Sequence, residues 1–242
     1  MKVIILAGGL GTRISEETLD KPKPMVLLNG KPILWHLMNI FAVQGFKDFV
    51  IACGYKGEVI NDWVEEQSKE LDWNIKALDT GIDTQTGGRI KKCMEFIGNE
   101  KVLATYGDGL ANVSVTELLN FHDQHKKKAT LTAVRPPARF GYLELRGTSV
   151  VHFGEKNQSD VGWINGGFFV LNPDVSNYIE SYIEPFETGA LPKLAALIEL
   201  EAFQHSGFWQ PMDTLREKMD LEKLSKLAIP PWLNLNKSEI SR

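Results

Sequence analysis

Through its first 135 residues the chain alternates short apolar runs with amphipathic segments, and that alternation restricts the fold more than any other feature. The apolar runs fall at 2–6, 48–52, 73–78, 102–105 and 130–134, continuous enough to be strands buried on both faces. Between them Ile33, Leu34, Leu37, Met38 and Phe41 recur at helical spacing, as do Val59, Ile60, Trp63 and Val64. Ser114, with Glu117 three positions on, has the pattern of a capping box and predicts a helix from there to about residue 125. Strand and helix in alternation predict a doubly wound sheet, which binds ligands at the carboxyl ends of its strands.

From Gly141 the pattern changes. Residues 142–145 and 150–153 predict a hairpin about Arg146-Gly147, and 163–171 a further strand carrying the Gly166-Gly167 pair. Helices are expected over 174–182, 191–199 and 214–227. Lys126-Lys127-Lys128, at a helix end, reads as a solvated face favoured by the helix dipole. No stretch rich in Pro, Gly or Ser separates domains, so one domain is expected across 1–242, with a tail over 228–242 in which Trp232 docks.

At the end of the first strand, Ala7-Gly8-Gly9-Leu10-Gly11-Thr12-Arg13 is followed by Lys21-Pro22-Lys23-Pro24-Met25. Three glycines in four positions let the backbone approach an anion and leave N–H groups free to cradle it. Arg13 brings a planar fork of donors suited to phosphate, and Lys23 brings a point charge on a stiff proline frame. No Lys-Ser or Lys-Thr follows the glycines, as a P-loop would require. A dinucleotide fingerprint fails too, because Ile14 stands where its third glycine belongs. A plain glycine-rich turn is the alternative that Arg13 and Lys23 argue against. What remains is a kit for gripping polyphosphate, with no nucleophile in it.

Further motifs follow in order: Asp79-Thr80-Gly81, Thr86-Gly87-Gly88-Arg89, Thr105-Tyr106-Gly107-Asp108-Gly109, Gly162-Trp163-Ile164-Asn165-Gly166-Gly167-Phe168-Phe169 and Gly207-Phe208-Trp209-Gln210-Pro211-Met212-Asp213-Thr214. With these, the glycine loop and Pro-Lys-Pro, the chain resembles the sugar nucleotidyltransferases over residues 1 to about 227, and among them the cytidylyl branch. The resemblance implies an α/β fold with a Rossmann-like doubly wound mixed sheet, the nucleotide-diphospho-sugar transferase fold. It places a nucleotide-binding half at about 1–135 and a sugar-binding half at about 136–227. It implies Mg²⁺-dependent transfer of a cytidylyl group from CTP to α-D-glucose 1-phosphate, giving CDP-glucose and pyrophosphate. A homo-oligomer, trimer or hexamer, is implied as well. The same chemistry with dTTP or UTP, or with another sugar 1-phosphate, is the alternative.

Such a transfer is an in-line substitution at the α-phosphorus, and the incoming phosphate oxygen is already a competent nucleophile. The protein must position two anions, neutralise their repulsion and stabilise the leaving pyrophosphate. By the resemblance, Leu6, Ala7, Gly8, Gly9, Leu10 and Gly11 wrap the base and phosphates, while Thr12 and Arg13 meet the triphosphate. Lys23 lies between the reacting phosphates, and Arg13 and Lys23 are the catalytic pair. Thr84, Arg89 and Gly107 complete the nucleotide site. The sugar phosphate falls to Lys23, Tyr106, Glu155, Lys156, Trp163, Asn165 and Gly166, since a carboxylate and an amide can each take two hydroxyls. Asp108 and Asp213 are the metal ligands, hard oxygens of the kind Mg²⁺ prefers. Their contexts also allow a turn aspartate and a helix N-cap, and Glu155-Lys156 could equally be a structural ion pair. Two departures from the family pattern stand out: Asn157 replaces the proline usual after Glu-Lys, and the segment between Ser68 and Asp79 is short.

Composition narrows the rest. A net charge of −4 argues against a nucleic-acid backbone as partner. No apolar run approaches the roughly 20 residues that span a bilayer, and the apolar start is too short for a signal peptide. Cys53 and Cys93 lack metal-ligand spacing and are expected to be reduced core thiols in a cytoplasmic protein.

Overall fold

The structure is a computed structural model and describes residues 1–67, 69–136, 141–155 and 162–235. Strand β1 (Lys2–Leu6) lies at the heart of the main sheet, between β4 (Asp48–Cys53) and β6 (Val102–Tyr106), parallel to both. Its side chains alternate between faces, as strand periodicity requires. Val3 and Ile5 enter one core with Leu37, Phe41 and Phe168, whereas Ile4 and Leu6 enter the other with Ile90, Met94 and Phe169. Burial on both faces is why this run carries no polar residue after Lys2.

A short helix α1 (Ser15–Thr18) and a small ribbon, β2 (Leu27–Leu28) with β3 (Lys31–Pro32), precede α2 (Ile33–Ala42). The alternation then continues through α3 (Gly57–Gln67), β5 (Asn74–Asp79), α4 (Thr86–Ile97), β6, β7 (Gly109–Ala111), α5 (Val115–His125) and β8 (Ala129–Val134). All of the strands expected here form, within a residue or two of their expected limits. Ser114 caps α5 by accepting the Glu117 N–H at 3.3 Å.

The second half adds the reversed strand. The run expected over 163–171 is not one strand but two, β11 (Ile164–Asn165) and β12 (Phe169–Leu171). Gly167 and Phe168 both have positive φ, at 77° and 51°, and turn the chain between them. That turn sends Phe168 into one core, stacked on Phe41, and Phe169 into the other, which offsets the strain of a left-handed phenylalanine. β12 runs antiparallel to both β6 and β8, so the sheet is mixed, with order β11-β8-β12-β6-β1-β4-β5. The hairpin of β9 (Gly141–Arg146) and β10 (Ser149–Glu155) forms as expected, as a separate ribbon with a bulge between Val150 and His152.

Two expected helices are altered. Pro173–Tyr178 is a 3-10 segment opened by proline rather than an α-helix over 174–182. α6 (Ala190–Ala196) stops short of 199, and Ile198, at φ 56°, turns the chain into β13 (Leu200–His205). This edge strand runs parallel to β8 and was not expected, because Glu201, Gln204 and His205 interrupt its apolar pattern. β14 (Trp209–Pro211) pairs antiparallel with β7, and α7 (Leu215–Ser225) follows, opened by a full capping box of Thr214 and Glu217. Trp232 is fully buried against His36 and Phe208, so the start of the tail docks. Cys53 and Cys93 are buried free thiols, both pushed up to about 12 by burial. Lys126 is exposed, but Lys128 pairs with Asp174 at 2.5 Å and is not simply solvated. Among the described residues no helix is long and apolar enough to cross a membrane.

Candidate active site

The carboxyl ends of β1 and β6 open onto a cleft of about 410 Å³. That volume lies within the roughly 300–1,000 Å³ typical of small-molecule and cofactor sites. The end of β1 and the loop after it line it with Leu6, Ala7, Gly8, Gly9, Leu10, Gly11 and Thr12, all of them expected. Gly11 sits at φ 64°, and its carbonyl accepts both the Ile14 N–H and the Thr18 hydroxyl. Ile14 is fully buried, so the position that a dinucleotide loop gives to glycine is here a core anchor. Arg13 shares the 3-10 turn Thr12–Ile14, and its side chain lies outside the described residues.

Lys23 lies in a second 3-10 turn, Lys23–Met25, framed by Pro22 and Pro24. Its ammonium donates to Asp108 Oδ2 at 2.6 Å and to Asp213 Oδ1 at 2.7 Å. Two residues 105 positions apart in number meet because β7 and β14 pair, Gly109 opposite Pro211, and the Met212 N–H donates to the Asp108 carbonyl at 2.8 Å. Burial alone would lower the Lys23 pKa, but the charges and hydrogen bonds of Asp108 and Asp213 outweigh it, and the pKa is raised. Gly107 admits no side chain, because a Cβ there would collide with the Leu6 carbonyl. Asp108 is thus fixed immediately beyond the glycine loop. Asp213 is not the N-cap of α7; that duty falls to Thr214, while the Asp213 N–H donates to Glu217. Among the described residues no group of three His, Cys, Asp or Glu side chains could hold a metal. Two hard carboxylates converging on one cation nevertheless suit Mg²⁺, which takes one or two protein carboxylates and completes its shell with phosphate and water.

Arg89 is only 4% exposed. Its guanidinium donates to the carbonyls of Gly8, Cys53, Gly81 and Ile82, and to the Thr80 hydroxyl. It borders the cleft, but as a tie between the glycine loop, the end of β4 and the loop after β5. Thr84 lines the cleft too, its hydroxyl donating to the Thr80 carbonyl at 2.5 Å.

Tyr106 reaches the cleft from the end of β6. Its hydroxyl donates to Glu187 Oε1 at 2.6 Å and accepts from the Asn165 amide at 3.0 Å. The other Glu187 oxygen accepts from the Thr86 hydroxyl at 2.6 Å. Burial, reinforced by Glu187, raises the Tyr106 pKa, so the phenol stays protonated. Glu187, Thr86 and the cleft residues Ile82 and Gln85 were missed by sequence reasoning. Trp163 and Gly166 do not border the cleft. Trp163 stacks under Arg135 at 4.6 Å, and the Gly166 carbonyl accepts from the Trp209 indole. Asn165 does not border the cleft either; its amide donates to the Tyr106 hydroxyl. The Glu155 side chain, Lys156 and Asn157 lie outside the described residues.

A glycine loop at the end of a central parallel strand, facing a lysine and two carboxylates across a nucleotide-sized cleft, is an arrangement for moving phosphate-linked groups. The chain belongs to the nucleotidyl transferase family, whose model matches residues 2–210. It is 48% identical to a glucose-1-phosphate cytidylyltransferase of Salmonella typhimurium, over 96% of this chain and 98% of that one. A probable glucose-1-phosphate cytidylyltransferase of Bacillus subtilis is 40% identical, over 96% and 99%. Among solved structures, HddC from Yersinia pseudotuberculosis complexed with GMP-PN superposes with a TM-score of 0.71 at 24% identity, covering 92% of this chain and 98% of that one. A putative glucose-1-phosphate thymidylyltransferase from Bacillus anthracis gives 0.70 at 19% identity, over 97% and 99%. The fold is therefore the nucleotide-diphospho-sugar transferase fold.

Proposed function

We propose that this chain transfers the cytidylyl group of CTP to α-D-glucose 1-phosphate, releasing pyrophosphate and CDP-glucose. The convergence of Lys23, Asp108 and Asp213 beside the glycine loop carries the chemistry. The end-to-end similarity to glucose-1-phosphate cytidylyltransferases supports the substrates. A sugar-phosphate oxygen forms the new bond to the α-phosphorus as the bond to pyrophosphate breaks. The amides of the Gly8–Gly11 loop and Arg13 hold the triphosphate, and Lys23 offsets repulsion between the two reacting phosphates. Asp108 and Asp213 would hold Mg²⁺, which when bound supplies further positive charge to the pyrophosphate. Tyr106, oriented by Glu187 and Asn165, offers a fixed edge beside the substrate, and Glu155 and Lys156 serve the sugar phosphate.

The protein works in the cytoplasm as a homo-oligomer, a reading that two buried reduced thiols and the family resemblance support. Pyrophosphate release, measured with four triphosphates against several hexose 1-phosphates in the presence of Mg²⁺, tests the proposal. CTP with glucose 1-phosphate should give the highest kcat/KM; no release from any pairing would refute the transfer itself.

A further inference from the structure

We infer that Lys23 is the resident cation of the divalent-metal site in the free protein, and that metal entry and the swing of Lys23 onto a substrate phosphate are one exchange. The inference rests on the reading that Asp108 and Asp213 hold the metal. Its first support is position. The ammonium lies 2.6 Å and 2.7 Å from one oxygen of each carboxylate, so it fills the point on which they converge. A divalent ion bound to the same oxygens at roughly 2.1 Å would lie within a few ångströms of that ammonium, where like charges in a partly buried site repel strongly.

The second support is that the backbones bearing the two carboxylates are tied together, which keeps the two negative charges near each other. Asp108 and Asp213 flank a ribbon tied through Gly109 opposite Pro211 and Met212 N–H to Asp108 O, and the Asp213 N–H is held by Glu217. A cation between them offsets the repulsion of that pair. The third is that Lys23 alone among these groups is built to move. Its backbone is set between two prolines, while its four-carbon stem can carry the ammonium into the adjoining cleft, which it lines. A substrate phosphate against the glycine loop offers it a replacement anion. Metal affinity is therefore suppressed while the cleft holds no substrate, and metal and anionic substrate strengthen each other's binding, as reciprocal linkage requires.

The test is Mn²⁺ binding to the full chain without nucleotide or sugar phosphate, followed by the electron paramagnetic resonance signal of free Mn²⁺. Lys23→Ala and Lys23→Gln should each bind Mn²⁺ about tenfold or more tighter than the wild type, and gain more thermal stability from it. Lys23→Gln retains a hydrogen-bond donor to the carboxylates and covers the case in which the alanine variant does not fold. Affinity equal to or weaker than wild type, or no detectable binding by either variant, overturns the exchange. Adding Asp108→Asn to Lys23→Gln separates the two readings. If tight Mn²⁺ binding survives in the double variant, the ion sits elsewhere and the assignment of Asp108 is what fails. If binding is lost there, while Lys23→Gln alone is no tighter than wild type, the metal assignment stands and the exchange fails.

Discussion

Replacing Lys23 by alanine removes the ammonium from the point where Asp108 and Asp213 meet, and the cost should fall on turnover rather than on CTP binding. Loss of a donor aimed at transition-state charge typically lowers kcat by about 10²–10³-fold. A variant retaining more than about a third of wild-type kcat would contradict the role given to this lysine. Asp108→Asn and Asp213→Asn should each raise the Mg²⁺ concentration needed for half-maximal activity while leaving the circular dichroism spectrum unchanged, since each removes one hard ligand. An unshifted metal titration for either would return that aspartate to a purely structural duty. Arg89 differs in kind. Its donors are engaged with four carbonyls and a hydroxyl, so Arg89→Ala leaves buried acceptors unpaired. We expect a loss of about 3 kcal/mol in unfolding free energy, the upper range for hydrogen bonds to a charged group, with CTP still preferred over UTP. Wild-type stability combined with lost base preference would make Arg89 the reader of the base instead.

The elements show which parts of this architecture are written locally. β1, β4, β6 and β8 were legible because burial on both faces favours short runs rich in apolar residues, and the helices between them because one face must stay apolar. β13 was not, because an edge strand needs only part of one face covered. Neither was the break between β11 and β12, where Gly167 and Phe168 both take positive φ. In the site, the glycine loop and Lys23 could be found from their own chemistry. Glu187 could not, since its partners Thr86 and Tyr106 lie 101 and 81 positions away and a lone glutamate carries no signature. Local capping gives a clean measurement at this scale. Thr214→Ala removes the side chain that accepts the Glu217 N–H and should lower stability by about 1 kcal/mol in denaturant titrations. A midpoint unchanged within error would show that Glu217 alone secures the start of α7.

Across the whole molecule, His36, His122, His125 and His205 share one property: burial lowers the pKa of each from its ordinary 6.5. The native fold thus favours their neutral forms, whereas the unfolded chain takes up protons as the pH drops below 6.5. Their contribution is present above that value and is lost progressively beneath it. The melting temperature should accordingly fall between about pH 7.5 and pH 5.5, and a flat profile would mean that these rings are not held neutral. The order in which the chain is made also bears on the β7–β14 ribbon. The glycine loop, Lys23 and Asp108 all precede β8 in the chain, yet Asp213 comes some eighty residues after β8 begins and the Trp232 anchor later still. A chain cut short before residue 213 therefore lacks one of the two carboxylates that converge on Lys23, and with it the means to carry out the transfer.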